Sequence, residues 1–506
     1  MSAESTPQST QGPAQQMVHL EPMVLTAEQF SERLSAFLSK CVPDFRELVG
    51  HERLSGGASQ ETYRLRIRTG AGERKLAMRR APGGVEAARA PGHPGLATEA
   101  LLMQCARAVG VPEPEVYGVL QEVDGLGGGF VMEWLEGEAL GARIARGDAF
   151  AALRPKLAFE CGRVLAQLHA IDLASTGLDK ALDLITPEQF VEQTWNRYRI
   201  LNTPQPMIDY AARWLRDNLP KESRTALVHN DFRNGNFMVN QDGIVAVLDW
   251  EVAHIGDPMR DLGWLCTNSW RFGAAPPVGG FGEYADLFAG YESVSGIRVD
   301  PAQVKFWEVF GSFWWATGCL GMAEHYRSGP DKTVERPAIG RRTSECQVDC
   351  VNLIIPGPVT MLRPQPFDTD LDMPRVDELL ASVRDVLRGD VMGSTTGRTN
   401  FLARVAGNSL DIVLRQLAVG TEHRANELAR LRALFRGQGG DGQGGDGQDD
   451  LGTLRWRLTN GLRDGSIALD MPGLAAHLRE TVVNQVAIDQ PIYTGLQMAI
   501  RNAAAG

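Results

Sequence analysis

Leu227-Val-His-Asn-Asp-Phe-Arg-Asn-Gly-Asn-Phe-Met-Val239, followed by Leu248-Asp-Trp-Glu251, places Asp231, Asn236 and Asp249 at spacings of five and then thirteen residues. An apolar stretch leads into the first Asp, and an alternating strand–turn–strand pattern separates Asn236 from Asp249. A lone Asp in a loop is ordinarily a turn or cap residue. Here the second and third residues add an amide oxygen and a carboxylate, the hard ligands that Mg²⁺ prefers, and leave Asp231 to meet a hydroxyl group.

This layout resembles the catalytic loop and metal site of the kinase superfamily. His229-Asn-Asp231 stands where protein kinases carry His-Arg-Asp, and Asp249-Trp-Glu251 where they carry Asp-Phe-Gly. The missing Arg and Phe, with no Ala-Pro-Glu activation segment, point away from protein kinases. The motif is similar to that of the aminoglycoside phosphotransferase and choline kinase-like family, which phosphorylates small-molecule hydroxyls. Ser55-Gly-Gly and Leu248-Asp-Trp-Glu lean towards the branch found in phosphotransferase domains fused to acyl-CoA dehydrogenases.

The resemblance covers residues 24 to 355 and implies an α+β, bilobal protein-kinase-like fold. A small β-rich N-lobe would be followed by a large, mostly helical C-lobe, with an all-α C-terminal domain beyond. It implies ATP and Mg²⁺ as cofactors, Asp231 as catalytic residue, and Asn236 and Asp249 as metal ligands. Arg233 would neutralise charge on the transferring phosphoryl group. Ser55-Gly-Gly-Ala-Ser-Gln-Glu-Thr62 resembles the nucleotide-positioning loop, with Gly57 and Ser59 against a phosphate and Gln60 replacing the commoner Asn. Arg79, on the strand Leu76–Arg80, would pair the phosphates and take Glu99 as ion-pair partner, with Arg80 on the opposite face. Met132, Glu133 and Trp134 resemble the hinge that binds adenine. His229 would brace the loop, Glu251 would stand near the metal, Asp261 would anchor the catalytic loop, and Asp257 would cap a helix.

The chain has 506 residues, enough for two or three globular units. Its formal charge of −11 argues against a nucleic-acid partner. Seven cysteines without framework spacing read as reduced intracellular thiols. Cys346 and Cys350 are four apart, but no further His or Cys completes a zinc site. Residues 1–23 read as a disordered tail with no signal-peptide features. The most membrane-like stretch, Val309–Met322, is uncharged for only fourteen residues and reads as a buried helix. A cytoplasmic enzyme without membrane contact is expected.

The N-lobe reads as residues 24–135: a helix over Glu28–Val49, then strands beginning at Arg53–Ser55, a helix over Glu99–Val109, and two more strands. The C-lobe reads as 136–355, with helices at 150–170, 187–200, 205–219, 257–271, 281–293 and 301–326 around the catalytic hairpin. A turn-rich linker at 356–373 precedes a helical domain at 374–506, with helical patterns at 374–390, 400–435, 451–464 and 472–489, whose Gly/Gln/Asp-rich run 437–450 reads as a flexible spacer.

The acceptor reads as a small hydroxylated molecule, either an anionic hydroxyacyl-CoA-like thioester or an aminoglycoside-like polyol. The alternative is a catalytically weak scaffold or kinase-like regulator making protein contacts through 374–506. The stretch His325–Arg342 carries five Lys or Arg against two acids. Read as a loop, it offers Arg341 and Arg342 to an anionic acceptor.

Overall fold

The computed structural model describes residues 25–54, 60–86, 92–365, 367, 373–436 and 450–505. The chain divides into two compact units, the first made of residues up to 90 with 94–101 and 114–134, the second of 91–93, 102–113 and 135 onward. Residues 1–23, Gly57, Ser59 and most of the spacer 437–450, each given a role above, lie outside the described residues.

In the first unit, α1 (Ala27–Cys41) starts at a capping box in which Thr26 and Gln29 exchange side-chain and backbone hydrogen bonds. Phe30, Leu34, Phe37 and Leu38 recur at helical spacing and are buried. The helix stops well short of Val49. Val42 precedes Pro43 and takes extended dihedrals, as a residue before proline must, and Asp44 turns the chain at φ +54°. Phe45 therefore opens a strand, β1 (Phe45–Arg53), where helix was expected.

Strands β2 (Glu61–Thr69), β3 (Gly72–Arg80), β4 (Val116–Val119) and β5 (Gly129–Glu133) complete an antiparallel sheet of order β1-β2-β3-β5-β4. The two-residue period puts Leu65 and Ile67 of β2, with Leu76 and Met78 of β3, against the buried face of α1. Helix α2 (Leu96–Ala108) begins in this unit and ends in the second.

The second unit is mostly helical: α3 (Gly141–Arg146), α4 (Arg154–Leu168), the single turns α5 (Leu173–Thr176) and α6 (Leu178–Ala181), α7 (Pro187–Ile200) and α8 (Pro206–Asp217). Two short hairpin pairs interrupt the helices. Strand β6 (Ala226–Val228) pairs with β9 (His254–Gly256), and β7 (Phe237–Val239) with β8 (Ile244–Val247). Helices α9 (Met259–Cys266), α10 (Tyr284–Ser295) and α11 (Pro301–Ser328) follow.

Asp300 and Pro301 start α11 as N-cap and first helical residue. The uncharged stretch Val309–Met322 lies inside it. Helix α9 approaches α11 so closely that a Cβ on Gly263 would fall 2.5 Å from Trp307 Cβ, and one on Gly311 2.4 Å from Thr267 Oγ1. Among the described residues no helix is long and apolar enough to cross a membrane.

The expected basic loop after α11 is largely helical. Helix α11 runs on to Ser328, and Glu335–Arg341 forms α12 directly ahead of α13 (Thr343–Ile354). Beyond it come α14 (Val376–Val386), α15 (Met392–Ser394), the 39-residue α16 (Gly397–Phe435), α17 (Leu451–Asp464), α18 (Leu474–Asp489) and α19 (Thr494–Ala505), the last not expected. Thr360 and Leu362 donate backbone N–H groups to Glu480 and Asn484 of α18, so this part of the connecting segment is held against that helix.

A buried polar knot ties α17 to α7 and α8. Asp209 accepts from Arg463 Nε at 2.8 Å, Trp195 Nε1 at 2.8 Å and Tyr198 Oη at 3.0 Å, with no exposed surface of its own. Removing the cation leaves a buried carboxylate uncompensated, at a cost of about 3–5 kcal/mol. Arg463→Met should lower the urea midpoint accordingly, and Asp209→Asn added to it should recover part of the loss. An unchanged midpoint in the single variant would show that the knot holds nothing together.

Candidate active site

The loop between β6 and β7 turns through left-handed backbone at Asn230 (φ +68°) and Gly235 (φ +108°), and Asp249 past β8 also sits at φ +62°. Such conformations in non-glycine residues cost of order 1–3 kcal/mol and persist where the surroundings hold them. The holding group is Asp261 of α9. Its carboxylate accepts the backbone N–H of His229 at 2.9 Å and of Asn230 at 2.7 Å, and meets His169 Nε2 at 3.0 Å. Burial opposes its charge, but the bond to His169 and the other donors hold its pKa below the ordinary carboxylate value.

Those constraints present Asp231. Its Oδ1 accepts from Trp264 Nε1 at 2.7 Å and from Arg233 Nε at 3.1 Å, and its Oδ2 from Asn236 Nδ2 at 2.5 Å. The carboxylate is about a fifth exposed, so it remains reachable. The Arg233 guanidinium lies 4.1 Å from the ring centre of Trp270, a cation–π contact that fixes its plane. His229 is buried, and burial pushes its pKa down; its Nδ1 accepts the Asp231 N–H at 3.2 Å. It braces the loop by that bond.

Beneath the loop, Arg260 is fully buried. It donates to Asn230 Oδ1 at 2.9 Å and lies 4.5 Å from the ring centre of Trp264 and 5.2 Å from that of Phe310. Burial lowers its pKa to about 9, so it stays charged at neutral pH. Trp264, Trp270 and Arg260 were not among the expected site residues. Their only sequence signal is that they share or follow the helix of Asp261.

Asn236 and Asp249 come from neighbouring backbone: Leu248 donates its N–H to the Asn236 carbonyl at 2.8 Å. The Asn236 amide nitrogen is given to Asp231, and Asn236 Oδ1 and the Asp249 carboxylate are oxygens of the kind a hard cation prefers. Among the described residues no three His, Cys, Asp or Glu side chains are placed to hold a metal. A cation bound here would therefore fill its shell with phosphate and water oxygens, which is how Mg²⁺ binds most of its sites. Glu251 offers its backbone carbonyl to His93 Nδ1 at 3.0 Å. Asp257 accepts the Met259 N–H at the start of α9 and the Trp307 indole at 3.0 Å.

In the first unit, Arg79 and Glu99 lie 3.6 Å apart, with Gln60 bridging them: Arg79 Nε donates to Gln60 Oε1 at 2.7 Å, and Gln60 Nε2 to Glu99 at 2.9 Å. Arg80 points to the other face, buried against Glu61 at 2.9 Å. Met132 and Glu133 end β5, paired with Ala77 and Leu76, while the Trp134 ring carries Arg64 at 5.8 Å.

Arg341 and Arg342 do not form an open basic mouth. Arg341 is bonded to Asp489 at 3.1 Å and to Gln416 at 3.0 Å, and Arg342 to Glu345 at 3.1 Å. The helical geometry of this stretch turns both side chains onto acids and amides of the same unit, which removes them as free ligands for an anionic acceptor.

Residues 50–297 match the phosphotransferase enzyme family, and residues 393–493 match a domain of unknown function, DUF6285. Acyl-CoA dehydrogenase family member 10 of Mus musculus is 31% identical over 237 residues, 44% of this chain and 21% of that protein. Acyl-CoA dehydrogenase family member 11 of Gallus gallus is 29% identical over 247 residues, 46% of this chain and 30% of that protein. The chain thus spans less than a third of the length of these curated relatives. A solved structure from Ralstonia eutropha, provisionally named an aminoglycoside phosphotransferase, covers 64% of this chain and 97% of its own, with 22% identity and a TM-score of 0.52. That likeness is one of fold, and it agrees with the kinase-like architecture read from the motifs.

Asp261→Asn puts an amide NH₂ where an oxygen accepted a backbone N–H, and each orphaned donor costs about 1–3 kcal/mol. Because the folded-state pKa of Asp261 is depressed, its contribution is full above the unfolded value of about 4 and is lost as pH falls through the lower folded one. Thermal melts from pH 8 down to pH 3 should show a deficit in the variant that narrows in acid. A pH-independent deficit would remove the charge of Asp261 from the account.

Proposed function

We infer from the phosphotransferase-family domain at residues 50–297 that this chain transfers the γ-phosphoryl group of ATP, with Mg²⁺, to a hydroxyl of a small molecule. The observation that carries the reading is the Asp231 carboxylate, partly exposed and oriented by Trp264, Arg233 and Asn236, on a loop whose Asn236 carbonyl takes the N–H of Leu248, the residue before Asp249. Phosphoryl transfer needs positioning and charge neutralisation far more than covalent help from the protein.

In the proposed reaction the acceptor oxygen forms a bond to the γ-phosphorus while the bond from that phosphorus to the β–γ bridging oxygen breaks. Asp231 takes the hydroxyl proton, and ADP leaves. Arg233 lies beside Asp231 and neutralises charge on the transferring oxygens. Arg79, held by Gln60 and Glu99, serves the other phosphates of the nucleotide, and Met132–Trp134 its base. Asn236 and Asp249 would hold Mg²⁺, which would supply charge neutralisation on the phosphate chain when bound. Seven unpaired cysteines suit a reducing, cytoplasmic compartment.

For the acceptor, a cavity of about 320 Å³ is lined by Thr194, Arg197, Leu201, Trp314, Trp315 and Thr317, with no acid among its lining residues. It shares Arg197 and Trp314 with a cavity of about 260 Å³ that reaches Asn230, next to Asp231, and that has one acid, Asp183, in its lining. Trp314 also packs on Trp264, 5.1 Å between ring centres, and Trp264 holds Asp231. A tryptophan wall with one exposed guanidinium favours the anionic, partly apolar acceptor over an aminoglycoside polycation, which needs a cluster of acids.

Asp231→Asn keeps the shape and removes the base, so kcat should fall on the order of 10³-fold with ATP affinity retained. Near-native turnover in that variant would sink the assignment of Asp231. Asp249→Ala should weaken Mg²⁺-ATP binding tenfold or more in calorimetry, on the loss of one carboxylate ligand. Equal affinity would move the metal site elsewhere.

A further inference from the structure

A cavity of about 490 Å³ opens between α12, α16 and the turn from α18 to α19. Its volume is that of a site for a small organic ligand. Ile339, Phe401, Val405, Ile412 and Ile492 give it apolar walls, and Ile492 is 82% exposed at the rim.

The charges around it are mostly consumed. Glu335 pairs with Arg398, Glu345 with Arg342, Asp411 with Arg384 and Arg388, and Asp489 with Arg341. Arg415 differs. Its Nε and Nη2 donate to the carbonyls of Ile488 and Asp489, the last residues of α18, at 2.5 and 3.2 Å. Among the described residues it makes no ion pair, and its Nη1 donors have no hydrogen-bond partner. Burial disfavours its charge, with Asp411 and Asp489 offsetting this only from a distance. A lining cation with spare planar donors calls for a carboxylate or similar oxyanion.

We propose that this cavity binds a small amphipathic monoanion, one carboxylate on an aliphatic body, with the carboxylate on Arg415 and the body against Phe401, Val405, Ile412 and Ile492. The other lining arginines, Arg341, Arg342 and Arg388, are already paired with carboxylates, so a second negative charge would find no cation, which limits the ligand to one. The cavity shares no residue with the Asp231 cluster, so the site stands independently of the phosphotransfer reading.

The test is calorimetric titration of the full chain with sodium decanoate below its micelle concentration, beside decyltrimethylammonium and propionate. The expected result is one decanoate per chain, with propionate and the cation bound at least tenfold more weakly. Arg415→Gln should weaken decanoate tenfold or more, and Arg415→Lys should restore part of it. Because Arg415 also caps α18, its loss could unfold the region. Ser409→Trp fills the cavity while keeping those cap bonds, and it should abolish binding with the melting temperature preserved. No saturable binding, several decanoates per chain, equal binding of the cation, or unchanged affinity in Ser409→Trp would each overturn the proposal.

Discussion

The buried carboxylate of Asp261 is the constraint on which the candidate site depends. Two successive backbone N–H groups, of His229 and Asn230, converge on it, and His169 closes the set. A chain passing through left-handed backbone at Asn230 would relax if those donors could find water instead. Full burial denies them that choice, because two unpaired donors together, at about 1–3 kcal/mol each, cost more than the strain at one residue. The loop geometry is thus set by hydrogen-bond satisfaction, and the exposure of Asp231 follows from it. The close approach of α9 to α11, permitted by Gly263 and Gly311, is what brings Asp261 to that depth.

Around this anchor the second unit uses cations and aromatic rings as one material. Arg260 lies among Trp264, Phe310 and Trp314, and Arg233 lies on Trp270. The rings accept positive charge on their faces, while Trp264 spends its N–H on Asp231. A guanidinium buried among alkyl chains would have no such compensation. The same unit attaches its C-terminal helices by polar pairs built on buried carboxylates: Arg463 on Asp209, Arg341 on Asp489, and Tyr493 on Asp349 at 2.6 Å. Each leaves a costly orphan if one partner goes, so these contacts fix where the helices of unknown function dock.

In the first unit, β3 separates two arginines by the simplest rule of strand geometry. Arg80 is buried against Glu61, and Arg79 faces the other way towards Gln60 and Glu99. Gln60 stands where the related loop commonly has Asn, and its longer side chain reaches both partners at once. A position read as a departure from the family pattern is therefore part of the Arg79–Glu99 pair.

The sequence by itself determined the spacing of Asp231, Asn236 and Asp249, the alternation that split Arg79 from Arg80, and helices such as α7 and α17. Their information is local: a period, a cap, a turn or a fixed offset along one hairpin. Tertiary structure decided what the local pattern left open. Helix α1 gave way to β1 because Pro43 and the pairing of β1 with β2 outweighed a helical run of side chains. Arg341 and Arg342 looked like free charge in a loop until helix formation brought Asp489 and Glu345 beside them. Trp264 reaches Asp231 across 33 residues of chain. Contacts at that separation depend on how α9 packs against α11, and packing is a property of surfaces that meet only in the folded chain.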